Sequence, residues 1–284
     1  MATKPITSSY ATIGPIMLGG VEDSGVQTTL QDMQGWGAVG VTLAPIQKPR
    51  QPGAWASLSY STARSITIVG TTSAPTAALA SDALDRLIDA CSLDSTLFTV
   101  FEAGRSRWAN VRRDGDIIPT WLGATSFSWS IQFVALDPRK FGTPLTSSTS
   151  LPSVTGGLTL PFTLPFTLAS TVVSGQVSLT NPGNSTGSVI LRIDGPCVGP
   201  VVTRTGVTGS SLVFASSLVL NSGEWLTVNG DKQTALANDQ ANRAGYITSR
   251  GWPTFEPGVN VFSFTASGYN AASLLTITAT PAYK

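Results

Sequence analysis

The chain has 284 residues, a formal net charge of +1 and only 12% charged side chains, about half the share that is usual in a soluble domain. Serine and threonine together supply 69 residues, so the surface is predicted to be largely neutral and rich in hydroxyl groups. Such a surface has little electrostatic self-repulsion and suits a subunit that packs against neighbours. The balanced charge gives no indication of a nucleic-acid or membrane partner.

Several classes of chemistry are excluded by residue type. Histidine is absent, which removes histidine general bases, Ser/His/Asp and Cys/His nucleophile systems and imidazole metal ligands. The two cysteines, Cys91 and Cys197, form no zinc or redox motif; we expect two separate buried thiols, with a single disulfide as the open alternative. Two carboxylate pairs that are close in sequence fall in expected loops without the cleft that glycoside hydrolysis requires. We therefore predict no enzyme, no cofactor and no metal site.

The N-terminal sequence lacks the apolar run of an export signal, and no segment approaches the ~20 apolar residues of a membrane-spanning helix. We expect a protein that is assembled in the cytoplasm and does not insert into a membrane.

The first half of the sequence predicts strands and one helix. A proline-bounded loop is predicted over 45–52, and Arg113–Asp116 contains the Asp-Gly pair that is typical of a hairpin. The helix is predicted over about 74–91, where apolar residues recur every three or four positions, with Ser73 as its N-cap. Small polar and large apolar residues alternate over 126–133, which indicates a half-buried strand.

That strand is predicted to stop at the segment Asp137–Gly142, which reads Asp-Pro-Arg-Lys-Phe-Gly. Pro138 cannot donate to a β-ladder and pushes the residue before it toward extended or turn geometry. The following stretch is rich in Ser, Thr, Pro and Gly and is predicted to be an extended connector. The sequence therefore predicts a first domain at 1–142, a connector at 143–171 and a second domain at 172–284.

The second domain is predicted to be β throughout. Short apolar runs are separated by turn sequences such as Asn181–Asn184, Asn221–Gly223 and Pro257–Gly258, and no helical period interrupts them. This pattern favours a β-sandwich or jelly roll. The predicted fold class is mainly β: two β-rich domains, the first a sandwich with a single helix.

Four segments, in this order, resemble the distal tail (baseplate hub) proteins of long-tailed, non-contractile bacteriophages. They are the strand into Asp137–Gly142, the connector Gly157–Phe162, the strand Ser188–Pro196, and the set Gly223–Val228, Trp252–Pro253 and Glu256–Asn260. The resemblance implies an N-terminal domain that forms a ring, commonly a hexamer, and joins the tail tube to the adhesion apparatus. It also implies a C-terminal sandwich that is galectin-like in some members.

The resemblance implies a location at the tail tip of the virion. The implied partners are further copies of the chain, the tail tube protein, the tape-measure protein and downstream hub or fibre proteins. DNA is implied only in transit through the lumen.

Four arginines near the predicted Asp-Gly hairpin form a candidate subunit interface: Arg105, Arg107, Arg112 and Arg113. One interpretation is pairing with helix acids such as Asp82, Asp85 and Asp89 on a neighbouring subunit. A basic channel lining and a simple solvated face are the other two.

An alternative function is binding of host-surface carbohydrate through the C-terminal sandwich. Aromatic rings suit the C–H face of a sugar, and the candidates are Trp252, Tyr246 and Tyr269. A galectin-type site uses a histidine, which this chain lacks. Trp225 lies in an alternating strand and is predicted to belong to the core.

Overall fold

The computed structural model describes residues 3–5, 9–56, 58–91, 93–155, 171–173, 175–268 and 270–284. They form two compact units, one within residues 1–142 together with Lys284 and the other within 143–283. The structure is mainly β, with one α-helix in the described part of the chain, so the predicted fold class is confirmed.

The N-terminal unit contains fifteen strands and helix α1 among its described residues. They are β1 (Thr3–Pro5), β2 (Tyr10–Ile13), β3 (Ile16–Leu18), β4 (Gly20–Glu22), β5 (Gln27–Gln34), β6 (Val41–Thr42), β7 (Ile46–Gln47), β8 (Ala54–Trp55), β9 (Tyr60–Ser61), β10 (Arg64–Ser73), α1 (Ala77–Ala90), β11 (Thr96–Glu102), β12 (Arg105–Arg113), β13 (Ile118–Gly123), β14 (Ser126–Ala135) and β15 (Lys140–Phe141).

Two antiparallel sheets enclose the core of this unit. The first has the order β1-β4-β5-β10-β14-β13, and the second has the order β3-β2-β11-β12-β15. On β14 the large residues Phe127, Trp129 and Phe133 are buried, while the serines between them are partly exposed. The alternating strand that the sequence predicts is therefore confirmed.

Helix α1 packs Ala80, Ala83 and Leu87 inward, as its apolar period predicts. Its predicted N-cap is wrong. The hydroxyl of Thr76 accepts the N–H of Leu79 at 3.3 Å, whereas Ser73 is the last residue of β10 and is held in the ladder between two strands.

A long hairpin, here called the arm, is formed by residues 40–56 and 58–62. Strand β6 pairs with β9 near its base, and β7 pairs with β8 farther out. At the base, the N–H of Thr62 donates to the carbonyl of Gly40 at 2.9 Å. The predicted loop at 45–52 is thus part of an ordered β-ribbon.

The predicted hairpin at Asp114–Gly115 is wrong. Strands β12 and β13 both pair with β14, at Arg113↔Phe133 and Ile118↔Ser130, so they follow each other along one edge of that strand. The tight hairpin lies earlier in the chain, between β11 and β12. Its turn residues, Ala103 and Gly104, have φ of 49° and 73°.

The C-terminal unit contains fifteen further strands among its described residues. They are β16 (Leu145–Ser150), β17 (Ser153–Thr155), β18 (Thr171–Val173), β19 (Gln176–Asn181), β20 (Ser185–Asp194), β21 (Cys197–Val198), β22 (Val201–Arg204), β23 (Ser211–Phe214), β24 (Val219–Leu220), β25 (Trp225–Asn229), β26 (Thr234–Ala237), β27 (Ala241–Asn242), β28 (Ile247–Arg250), β29 (Gly258–Thr265) and β30 (Leu274–Tyr283).

These strands build a sandwich. One sheet has the order β16-β30-β20-β25-β26-β27, and the other has the order β19-β29-β22-β23-β28. Inward residues of both sheets, such as Leu191, Ile277, Leu212 and Phe262, form one core. Strand β16 lies within the stretch that the sequence assigned to the connector, of which residues 156–170 lie outside the described residues.

Candidate functional site

The segment that ends the first unit is tied to the start of β10 by a buried arginine. Arg64 is 1% exposed. Its Nε donates to the carbonyl of Pro138 at 2.9 Å, and its Nη1 donates to the carbonyls of Trp36 at 2.7 Å and Gly35 at 3.1 Å. Bonds from a charged donor to buried carbonyls are among the stronger ones in a protein, so one side chain joins three separate parts of the unit.

Lys140 binds the same stretch of backbone near Trp36. Its Nζ donates to the carbonyls of Trp36 at 3.0 Å and Gly37 at 2.9 Å, and the side chain is buried. Gly35 has φ of 80°, and a Cβ there would meet the carbonyl oxygen of Ser65, so only glycine fits. Two buried cations therefore fix residues 35–37, which lead directly into the arm.

Arg139, between Pro138 and Lys140, acts locally. Its guanidinium forms an ion pair with Asp137 at 2.7 Å and lies 5.1 Å from the centroid of the Phe141 ring. The side chains of Arg64 and Lys140 thus give the segment Asp137–Gly142 a structural role at the base of the arm.

Burial is the largest cause of the pKa shifts of four groups, and it lowers the pKa of Arg64. Burial, followed by the charges of Arg64 and Arg107, lowers the pKa of Lys140 to about 8, and Glu102 partly opposes this. Burial raises the pKa of the Cys91 thiol to about 11, against a smaller opposite effect of Arg113, and raises that of Cys197 to about 11. Both cysteines are free and buried, which confirms the expectation of two separate thiols.

The pKa of Lys140 predicts a pH dependence of stability. Its pKa is lower in the folded chain than in the unfolded one, so between pH 8 and about 9 the unfolded state binds more protons and the free energy of unfolding rises with pH. Above about pH 9 the two thiols, with their raised pKa values, act in the opposite direction. Urea unfolding of the N-terminal unit at pH 7.5 and 9 measures the rise, and Lys140→Met is expected to abolish it. An equal rise in the variant would contradict this assignment.

A cleft of about 230 Å³ lies where the β11–β12 hairpin meets the residue that leads into the arm. It is lined by Trp36, Val100, Glu102, Ala103, Arg105 and Arg107. Val100 pairs with Arg107 and Glu102 with Arg105 across the two strands, so these four side chains share one face of the hairpin. The cleft thus combines two arginines with a buried aromatic wall.

The structure brings two of the four candidate arginines to this cleft. Arg105 and Arg107 line it. Arg112 lies on the same strand but alternates to the other face, and it is exposed. Arg113 lies at the far end of β12, where its charge affects Cys91.

The carbohydrate candidates lie in the C-terminal unit. Tyr246 and Trp252 are both partly buried against its core, and the guanidinium of Arg243 lies 5.8 Å from the centroid of the Tyr246 ring. Each aromatic ring therefore uses part of its surface for packing. Tyr269 lies outside the described residues.

The prediction that Trp225 belongs to the core is wrong. Leu226 and Val228 point inward, which turns Trp225 outward on β25. There the guanidinium of Arg192 lies 4.5 Å from the centroid of the Trp225 ring. Trp225 Nε1 donates to Asp239 at 3.1 Å. Alternation fixes which residues share a face, but the choice of face is decided by the neighbouring strands.

This correction predicts unequal effects of truncation. Leu226→Ala is expected to lower the free energy of unfolding by about 2–5 kcal/mol because it opens a buried cavity. Trp225→Ala is expected to cost less than half as much, since it removes a surface contact. Thermal or urea unfolding of both variants measures the difference, and an equal loss would place Trp225 in the core after all.

Among the described residues, no group of three or more Cys, Asp or Glu side chains could hold a metal ion. No described helix is long and apolar enough to cross a membrane.

Comparison with known proteins gives similarity at the level of fold. No family model matches the chain, and no curated protein sequence is similar to it. The chain is similar in structure to the SPP1 Dit (gp 19.1) protein, described as a hub adsorption apparatus in phages that infect Gram-positive bacteria: the TM-score is 0.64 at 12% identity, over 90% of this chain and 93% of that one. It therefore has the fold of a siphophage baseplate hub protein.

A chain of the phage P2 baseplate in its activated conformation with Ca matches with a TM-score of 0.53 at 10% identity, over 97% of this chain and 98% of that one. The corresponding structure with Sr matches with a TM-score of 0.51 at 10% identity, over 95% and 97% of the two chains.

Proposed function

We propose that the protein is a structural component of a bacteriophage tail tip. In this role its N-terminal unit assembles into a closed ring that joins the tail tube to the adhesion apparatus. The ring would be a hexamer and would have the tape-measure protein and downstream hub proteins as further partners. The shared fold with phage baseplate proteins supports a role at the tail tip.

The observation that carries the proposal is the apolar surface of the arm. Six large side chains are between 52% and 77% exposed there: Val41, Leu43, Ile46, Trp55, Leu58 and Tyr60. Monomeric proteins rarely leave a group of apolar side chains of this size in water, and larger patches mark interaction sites. A two-stranded ribbon has no core of its own to justify them. A neighbouring subunit would cover this surface.

The first sheet also has two open edges. Strand β13 pairs with β14 alone among the described strands, and all six of its residues are exposed. At the other end, β4 covers only the first two residues of β5, so the rest of β5 beyond Thr28 is paired on the β10 side alone. Unpaired edges invite another strand. Because the two edges differ, contacts between them would be head-to-tail, and such contacts give a ring where the rotation between neighbours closes.

Electron microscopy of the purified full-length chain tests the proposal. We expect annular particles of uniform diameter. Particles that stay monomeric, also after mixing with purified tail tubes as a template, would contradict it.

A further inference from the structure

We propose that the cleft beside Trp36 binds a carboxylate, and that this carboxylate comes from helix α1 of a second copy of the chain. The inference rests on the proposed ring and names a contact that holds neighbouring subunits together.

The wall of the cleft is suited to a carboxylate. Arg105 and Arg107 lie two residues apart on one strand and line the cleft together with a single acid, Glu102. Within the described residues, the guanidinium of Arg105 makes no hydrogen bond or ion pair. A guanidinium presents parallel N–H groups that match the two oxygens of a carboxylate, so Arg105 is available for a partner.

Two buried cations that do not themselves line the cleft lie next to Trp36. Lys140 Nζ lies 5.7 Å from the centroid of the Trp36 ring, and Arg64 donates to the Trp36 carbonyl. Among the described residues, the buried donor atoms without a hydrogen-bond partner in this region include Trp36 Nε1 and Arg64 Nη2. Buried donors are nearly always satisfied. The lowered pKa of Lys140 is consistent with a positive potential in this region.

Helix α1 presents the complementary surface. Asp82, Asp85 and Asp89 are exposed and follow each other at spacings of three and four residues, which places them on one face. The neighbouring cation on the helix, Arg86, is engaged by Glu22 at 2.9 Å. The helix therefore offers three carboxylates without a matching positive charge of its own. We call these three residues the acidic face.

The cleft and the acidic face share no residue. A contact between them is therefore head-to-tail and compatible with ring closure. A free carboxylate has the same chemistry, but the acidic face supplies three on one rigid element. The experiment separates the two sources.

The test uses three variants of the full-length chain in sedimentation velocity. Arg105→Glu reverses the charge at the cleft, and Arg112→Glu is the matched control on the opposite face of the same strand. The third variant replaces Asp82, Asp85 and Asp89 by Asn. We expect Arg105→Glu and the triple variant each to self-associate roughly 30-fold more weakly than the wild type, and Arg112→Glu to behave like the wild type. Circular dichroism verifies that each variant is folded.

Mixing provides the decisive measurement. Arg105→Glu keeps an intact acidic face and the triple variant keeps an intact cleft, so the mixture can form one contact per pair and is expected to give heterodimers that do not extend. If Arg105→Glu assembles like the wild type, or if the triple variant does, the inference is overturned while the ring stands. A mixture that stays monomeric also overturns it. A wild-type chain that never assembles contradicts the proposed function itself.

Discussion

Replacing Ile46 and Trp55 by aspartate is expected to convert the assembled protein into folded monomers. These residues face each other across the β7–β8 ribbon, and both are more than half exposed. Burying them against a neighbour would contribute about 1.5–3 kcal/mol each, and a buried unpaired carboxylate would oppose association further. We expect a loss of at least about 3 kcal/mol per contact, roughly a 100-fold drop in the association constant.

The arm provides its own control. Gln47 is exposed and follows Ile46 in the same strand, so its side chain points to the other face of the ribbon. Gln47→Asp is expected to leave assembly unchanged. Static light scattering over a concentration series compares the variants, and thermal unfolding verifies that the fold is kept. Undiminished assembly of the double variant would exclude the arm from the interface.

Arg64→Ala is expected to lower the free energy of unfolding of the N-terminal unit by about 3–5 kcal/mol. The substitution removes the charged donor of the Gly35 and Pro138 carbonyls, and each unsatisfied buried group costs about 1–3 kcal/mol. The Trp36 carbonyl loses one of its two charged donors and keeps Lys140. The base of the arm should loosen as a result.

Arg50→Ala is the matched control, because Arg50 is exposed within the arm and its truncation should change stability by less than about 0.5 kcal/mol. Urea unfolding followed by tryptophan fluorescence measures both losses. Hydrogen exchange of residues 35–42 reports on the base of the arm, where faster exchange is expected for Arg64→Ala alone. Equal stability of the two variants would show that the arginine is dispensable.

Local patterns predicted much of the fold. The period of two over 126–133 and the helical period near 74–91 are set by neighbouring residues, and both elements were located correctly. The N-cap was misplaced because β10 extends through Ser73 and holds it between two strands. At Asp114–Gly115 the chain bends, but the flanking strands pair with β14 instead of with each other.

The candidate site was only partly predictable. The four arginines were recognised by their proximity in sequence, yet strand alternation and the course of β12 bring only Arg105 and Arg107 to the cleft. Arg64 and Trp36 were missed because their partners are 28 to 104 residues away in sequence. A charged residue at the start of an otherwise uncharged strand was the one available signal for Arg64. Residues 45–52 of the arm were predicted to form a loop, because the prolines of this segment mask the short strand β7.

Native mass spectrometry of the full-length chain tests the central claim most directly. We expect one discrete closed oligomer of six chains and no series of larger species. Head-to-tail contacts that close into a ring leave no free ends to which further chains could add. A spectrum of monomers alone at every concentration, or an open series of increasing mass, would contradict the closed ring.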